Sequence, residues 1–426
     1  MRPWVIFLIF LCAPSRLFSQ YQGPSAAPAA AKGAARLAAL VQEAMERNPE
    51  IQAAQRAVQA KRARVPQAGA WPDPKLSASY VGNVFPPFTV MAGDPSSARQ
   101  IMAEQEIPYP GKTRLRAEMA SREADAETLA YEAVWRRIAD EVKQAYFDLW
   151  FTDQSLSTLR KDRELLEKFE KIAEIRYSVG KAAQQDVLKA QVELTRLIER
   201  QTVLEQSRQT FQAQLNSLRN LPVDAPVGAP EELKVSNVAA SLEELQAAAQ
   251  ANYPALKQQR TMVAENRLAV DLAKREVRPD FSVGYIYMQR DRLPDMYGIA
   301  FSTSLPIFRH RKQAMAIAEA AANLESSRQM EANELTMLRY RVKQDFLDVK
   351  ASEELLKLYS QGIVPQSSLA LESSISSYET GAVDFLNVLG NFTTRLEYEL
   401  SYKQQIANHE KALARLEELT ALELIQ

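Results

Sequence analysis

Val142-Lys143-Gln144-Ala145-Tyr146-Phe147-Asp148-Leu149 returns, altered, as Val342-Lys343-Gln344-Asp345-Phe346-Leu347-Asp348-Val349. The chain is written twice, with a period of roughly 200 residues, far longer than a solenoid repeat. Working outward, Tyr177-Ser178-Val179-Gly180 answers Tyr378-Glu379-Thr380-Gly381, and Val187-Leu188 answers Val388-Leu389. Upstream, Asn48-Pro49 answers Tyr253-Pro254, Pro72-Asp73 answers Pro279-Asp280, and Ile107-Pro108 answers Leu305-Pro306. The matches keep one order. They divide the chain into a first repeat (37–221), a Pro-rich linker (222–240) and a second repeat (241–426).

Each copy has the same grammar: a helix, two strands, a very long helix, a tight break and a return helix. The first long helix is expected from about Lys112 to Tyr177, roughly 100 Å at 1.5 Å per residue. Its counterpart runs from about Arg311 to Tyr378, where Gly362-Ile363-Val364-Pro365 predicts a kink or local break. Apolar positions step by four and three: Ile138, Val142, Ala145, Leu149, Thr152, Leu156 and Leu159 on one helix, and Val187, Ala190, Leu194 and Leu197 on its return. Leu335, Leu338, Val342, Asp345, Val349, Ser352, Leu356 and Tyr359 follow the same rhythm. That spacing holds one stripe against a neighbouring helix. A coiled-coil hairpin satisfies it, but helices this long exceed a compact core and require a rod or a tube.

The short elements discriminate rod from tube. Phe281, Val283, Tyr285 and Tyr287 alternate with Ser282, Gly284 and Ile286. Tyr297, Ile299, Phe301, Thr303 and Leu305 alternate with Gly298, Ala300, Ser302 and Ser304. The first copy has a weaker pair: Leu76, Ala78 and Tyr80, then Ile101, Ala103 and Ile107, with Glu104 and Glu106 on the polar side. Period two with one apolar face describes strands, and about ten residues is the length a membrane-spanning strand needs. The hairpins fall at about 75–108 and 280–306. Four strands cannot close a barrel, and open edges are not tolerated in lipid, so the strands of several chains must combine.

Composition hides this. Among 426 residues, 25% are charged and the formal net charge is −1. Mean hydropathy is −0.30. The bulk therefore reads as soluble, with no excess of positive charge to suggest nucleic acid. Gly is scarce, 13 residues, which suits long helices and argues against a glycine-rich nucleotide fold. One Cys and two His leave no material for zinc clusters or a disulfide framework. No nucleophile–base pair or phosphate loop appears, so neither an enzyme nor a cofactor is expected. His310 lies at a strand-to-helix junction between Arg309 and Arg311, and His409 on a return helix suits a solvated or seam position. Met288, Met296, Met315, Met330 and Met337 read as packing residues rather than soft-metal ligands. Arg2 followed by the apolar run from Trp4 to Leu11 has the secretory signal pattern (1–19), with cleavage after Ser19 or Ser15. Leu11 before Cys12 is unsuited to lipidation. A Gln/Gly/Pro/Ser/Ala leader follows (20–36).

The duplicated plan, the two Tyr-x-x-Gly breaks, and Arg176-Tyr177-Ser178-Val179-Gly180 with Asp186-Val187-Leu188-Lys189-Ala190 resemble the TolC family of outer-membrane efflux channels. Trp71-Pro72-Asp73-Pro74 and Gln105-Glu106-Ile107-Pro108-Tyr109-Pro110-Gly111-Lys112 resemble its heavy-metal branch. The resemblance implies a mainly α fold with a small β part: a homotrimer with a 12-stranded transmembrane β-barrel, four strands per chain, above a trimeric α-helical barrel in the periplasm. It implies outer-membrane lipid, a periplasmic adaptor and an inner-membrane RND-type pump as partners. The adaptor-contact tips then fall on Tyr177, Val179, Gly180 and Lys181 and on Tyr378, Thr380, Gly381 and Ala382. Lys181 departs from the small or apolar residue common after the Gly. Gly at both positions also suits a plain left-handed cap. Asp186 and Asp384, beside the tips, are candidates for the pore gate or for simple N-caps. The competing reading is a soluble periplasmic coiled-coil adaptor or scaffold, but no lipoyl-like or barrel domain is visible between the helices.

Overall fold

The computed structural model describes residues 35–82, 89–236 and 239–425. The expected signal peptide and the leader as far as residue 34 lie outside the described residues. The element order is α1 (Leu37–Arg47), α2 (Pro49–Gly69), β1 (Lys75–Val81), β2 (Ala98–Ile107), α3 (Lys112–Ser178) and α4 (Gln184–Leu218). The second copy follows as α5 (Leu242–Asn252), α6 (Pro254–Arg275), β3 (Phe281–Gln289), β4 (Met296–Thr303), α7 (Gln313–Leu358), α8 (Val364–Thr380) and α9 (Phe385–Thr420).

α3 is one unbroken helix of 67 residues, about 100 Å long. In the second copy the helix starts at Gln313, and the break expected near Pro365 takes a milder form. Residues Tyr359–Ile363 form a π-helical segment between α7 and α8, and the Val364 N–H bonds back to the Tyr359 carbonyl. One wide turn lets Pro365, which has no N–H to give, join the helix without ending it.

The helices form rows that continue end to end. Asn48, which caps α2 by accepting from the Glu50 N–H at 2.8 Å, also donates through Nδ2 to the carbonyl of Leu218 at the end of α4 (2.9 Å). Asn252 does the same between α5 and the end of α9, reaching the Thr420 carbonyl at 3.2 Å. α2 thus takes up the row of α4, and α6 that of α9. α3 packs on α2, α4, α6 and α9, while α7 packs on α5, α6 and α9. α3 is therefore interior to the layer of helices, whereas α4 and α7 stand at its edges. Every seam position expected on α3, from Ile138 to Leu159, is buried, and so are Tyr146, Phe147 and Trp150 on its other faces. On α7 the seam from Leu338 to Leu356 is buried, but Met330, Tyr340 and Leu347 face outward and are exposed.

The linker lies across the middle of these rows. Ala35 bridges Pro230, and the Tyr146 hydroxyl donates to the Ala35 carbonyl and accepts from the Glu231 N–H. His409 is wholly buried, with Nε2 2.8 Å from the Ser236 carbonyl and Nδ1 3.0 Å from Ser352 Oγ. It sits in a seam rather than in solvent.

Where α3, α7 and α9 meet, carboxylates crowd. Arg415 holds Asp345 (2.6 Å) and Asp348 (3.2 Å). Burial, reinforced by Asp140 and Asp345, pushes the Glu418 carboxyl up to about 7 against the pull of Arg341 and Arg137. The unfolded chain ionises this group near its ordinary value, so the folded state carries no penalty below pH 4. The cost grows as pH rises and is complete above pH 7. Glu418→Gln should raise Tm at pH 8 by roughly 2–4 °C and leave it unchanged at pH 4, as differential scanning calorimetry would show.

Candidate functional site

The four strands form a single antiparallel sheet in the order β1-β2-β3-β4. The two hairpins are joined through β2 and β3, with Ile101 opposite Tyr287 and Ile107 opposite Phe281. Register places Leu76, Ile101, Tyr285, Tyr297, Ile299 and Phe301 on one face. That face is bare: Phe301 and Leu76 are 78% exposed, Ile299 69% and Tyr297 66%. The opposite face is polar toward the helical end. Ser282 Oγ donates to Glu104 and lies in hydrogen-bonding contact with Ser302, and Lys75 stands opposite Glu104. An apolar face open to the outside and a polar face turned inward is the arrangement of a membrane barrel wall, not of a sheet packed on helices. Among the described residues the outer edges of β1 and β4 have no strand beside them. No helix among the described residues is long and apolar enough to cross a membrane.

The barrel end is tied to the helices by a buried lysine. Lys112, the first residue of α3 and only 1% exposed, puts Nζ 2.9 Å from both oxygens of Asp280, 3.1 Å from Glu276 and 2.8 Å from the Arg278 carbonyl. Asp280 also accepts from the Tyr109 N–H at 2.7 Å. Burial works against the Asp280 carboxylate, but these donors hold its pKa below the ordinary value. The knot joins the first copy to the second where strands become helices.

At the far end both copies reverse in the same way. Gly180 (φ 71°) and Gly381 (φ 81°) are left-handed. The Gly180 N–H bonds to the Tyr177 carbonyl and the Lys181 N–H to that of Arg176. Gly381 and Ala382 repeat the pattern on Tyr378 and Ser377. These are Schellman caps, which favour glycine for its backbone. A Cβ added at either glycine would meet nothing within 4 Å, so both caps are open to an approaching surface. Tyr177, Val179, Lys181, Thr380 and Ala382 are exposed, whereas Tyr378 is buried against Phe385.

The two tips are brought together by a residue whose part the sequence did not reveal. Arg176 donates from Nη2 to the Glu379 carbonyl (2.7 Å), and its guanidinium lies 4.3 Å from the centre of the Tyr378 ring. Its counterpart in the second copy is Ser377, so nothing in the repeat marks it. Asp384 caps α9, accepting from the Asn387 N–H at 3.0 Å and from its Nδ2 at 2.8 Å. Asp186 lies in the first turn of α4; burial pushes its carboxyl up, and the charge of Asp384 adds to this. The charge of Asp384 thus reaches Asp186 across the tip. Among the described residues no group of His, Cys, Asp or Glu is placed to hold a metal ion.

With sheet and tips in place, known proteins can be compared. The family model described as outer membrane efflux protein matches residues 40–221. The match spans nearly all of the first repeat. Solved structures extend the likeness to the second copy. The outer-membrane channel OprN superposes with TM-score 0.79 at 16% identity, over 90% of this chain and 89% of its own. VceC, an outer membrane protein of Vibrio cholerae, gives 0.78 at 17%, over 90% and 95%. CusC, described for its folding and transmembrane channel formation, gives 0.78 at 14%, over 90% and 91%. These values do not separate the heavy-metal branch from the others. No curated protein sequence matches the chain. The fold of this chain is thus TolC-like along both repeats.

Arg176 thus makes a polar side-chain tie between the two tips within the chain. In the channel proposed below, Arg176→Ala should loosen the tip and raise single-channel conductance in planar bilayers about two-fold or more, with assembly unchanged. Conductance equal to wild type would remove Arg176 from the closure.

Proposed function

We propose that the protein is the outer-membrane channel of a tripartite efflux system, conducting substrates passively through a gated trimeric tunnel. The observation that carries this is the four-stranded sheet, apolar on its exposed face and open at both edges, mounted on helices of about 100 Å. Three copies would close twelve strands into a barrel in the outer membrane and leave the helices standing in the periplasm. A soluble adaptor has no use for an exposed apolar sheet with two free edges, which in water would aggregate. The fold of OprN, VceC and CusC supports the channel reading. The purified protein should therefore fractionate with outer membranes, run as a heat-resistant trimer and form channels in planar bilayers. A monomer in the soluble periplasm would defeat the reading.

The tips would meet a periplasmic adaptor and, through it, an inner-membrane RND-type pump. The open space around Gly180 and Gly381 supports close docking of another helical hairpin. Asn tolerates the left-handed conformation that both caps need. Gly381→Asn should therefore keep the turn and the trimer but reduce efflux at least ten-fold in a drug or metal susceptibility assay. Unchanged efflux would reduce Gly381 to a cap.

Asp186 and Asp384, three copies each, would ring the pore and favour cations. Because Asp384 is also an N-cap, the informative change is Asp384→Asn, since Asn caps about as well as Asp but carries no charge. Cation preference in reversal-potential measurements should fall about two-fold or more. An unaltered preference would leave Asp384 as a cap only.

A further inference from the structure

The junction knot is present once in the chain, while the residues for it are present twice. Inside the chain, the end of β2 meets the start of β3, and the cation after β2 (Lys112) seizes the aspartate before β3 (Asp280). By the repeat, Asp73 before β1 answers Asp280, and the segment after β4 answers the segment after β2. That segment carries Arg309, His310, Arg311 and Lys312. All four, and Asp73, are exposed, and among the described residues they have no side-chain hydrogen bond or ion pair. Beside them Ile307 (77%), Phe308 (69%) and Trp71 (58%) are also bare.

These two half-sites cannot meet within one chain. They lie at opposite edges of the sheet, about 14 Å apart at the usual strand spacing. They can meet between chains, and the register supports it. Carrying the β2–β3 register over to β4 and the β1 of a neighbouring copy sets Thr303 opposite Leu76, Phe301 opposite Ala78, and Ile299 opposite Tyr80. All six belong to the outer face, whereas a slip of one residue would set Phe301 against inward residues.

We propose that the basic run 309–312 of one copy binds Asp73 of the next. This repeats between chains the bond that Lys112 makes to Asp280 within a chain, and Trp71 closes over Ile307 and Phe308. The inference rests on the ring assembly proposed above and goes beyond it by naming the contact that locks the ring at the membrane boundary.

The test is crosslinking in isolated membranes. Cys12 is replaced by Ser throughout, and Asp73→Cys is combined in turn with Arg309→Cys, His310→Cys, Arg311→Cys and Lys312→Cys. Each copy would then carry both halves of the contact, so oxidation should convert at least one of the four variants into covalent trimers on denaturing gels, while the single-cysteine parents stay monomeric. In parallel, Asp73→Arg should lower the heat-resistant trimer at least ten-fold, and adding Arg309→Asp with Arg311→Asp should restore it. A heat-resistant wild-type trimer with no crosslink in any variant overturns the contact alone and leaves the basic run to lipid headgroups. An Asp73→Arg trimer as resistant as wild type also overturns it. A monomeric wild type overturns the ring and the contact together.

Discussion

An unpaired strand edge cannot stay in hydrocarbon, and this constraint governs the molecule. In the proposed channel the sheet shows lipid a face bearing Leu76, Ile299 and Phe301, yet among the described residues β1 and β4 each keep one free edge. Each unsatisfied backbone group in a bilayer costs several kcal/mol. The chain therefore does not describe a finished object. In the proposed assembly the exposed apolar surface of one copy, on the sheet and on the outer faces of α4 and α7, is covered by lipid or another copy.

The same constraint explains why the junction is built so firmly. Four strands side by side are roughly 19 Å wide, while four rows of helices at 8–10 Å spacing are roughly 32–40 Å wide. Strand tilt recovers only part of the difference. The remainder has to be absorbed where β2 gives way to α3 and α6 to β3. There the chain places a buried lysine, two acidic partners and a glycine at φ 91°. Removing either carboxylate would leave the buried ammonium of Lys112 short of a partner, so the two lattices are coupled rather than loosely hinged.

Much of this was legible in the residues. Duplication ordered the elements through matches roughly 200 residues apart, while the four-and-three spacing located the seams and period-two alternation located the strands, because these two depend on local spacing alone. Lys112 was not legible as a buried ion, since its partners lie in the other copy, 168 residues away. Arg176 gave no signal for a related reason: its acceptor is a backbone carbonyl, and its place in the second copy is taken by Ser377. The Pro365 region announced a disturbance, but whether a helix breaks or widens depends on how the flanking turns pack. Asp384 fitted a gate and a cap equally well from sequence, and its geometry now makes it a cap whatever else it does.

The places where the copies differ are themselves informative. In the proposed three-fold ring a duplicated chain offers six near-equivalent positions, and identical halves would fill all six alike. Here Tyr177 is exposed and Tyr378 buried, α3 is continuous while its counterpart widens into a π turn, and only one tip carries the clamping arginine. The departures lie along the second long helix and at the tips, while the glycine caps themselves are conserved between copies in every backbone hydrogen bond named above. Turn geometry is thus held constant while the side chains that hold tip to tip are allowed to diverge. A rigid conduit has no need of such a difference. In a tunnel that must open, a ring with two kinds of contact can release one kind and keep the other, whereas six identical contacts would tend to yield together.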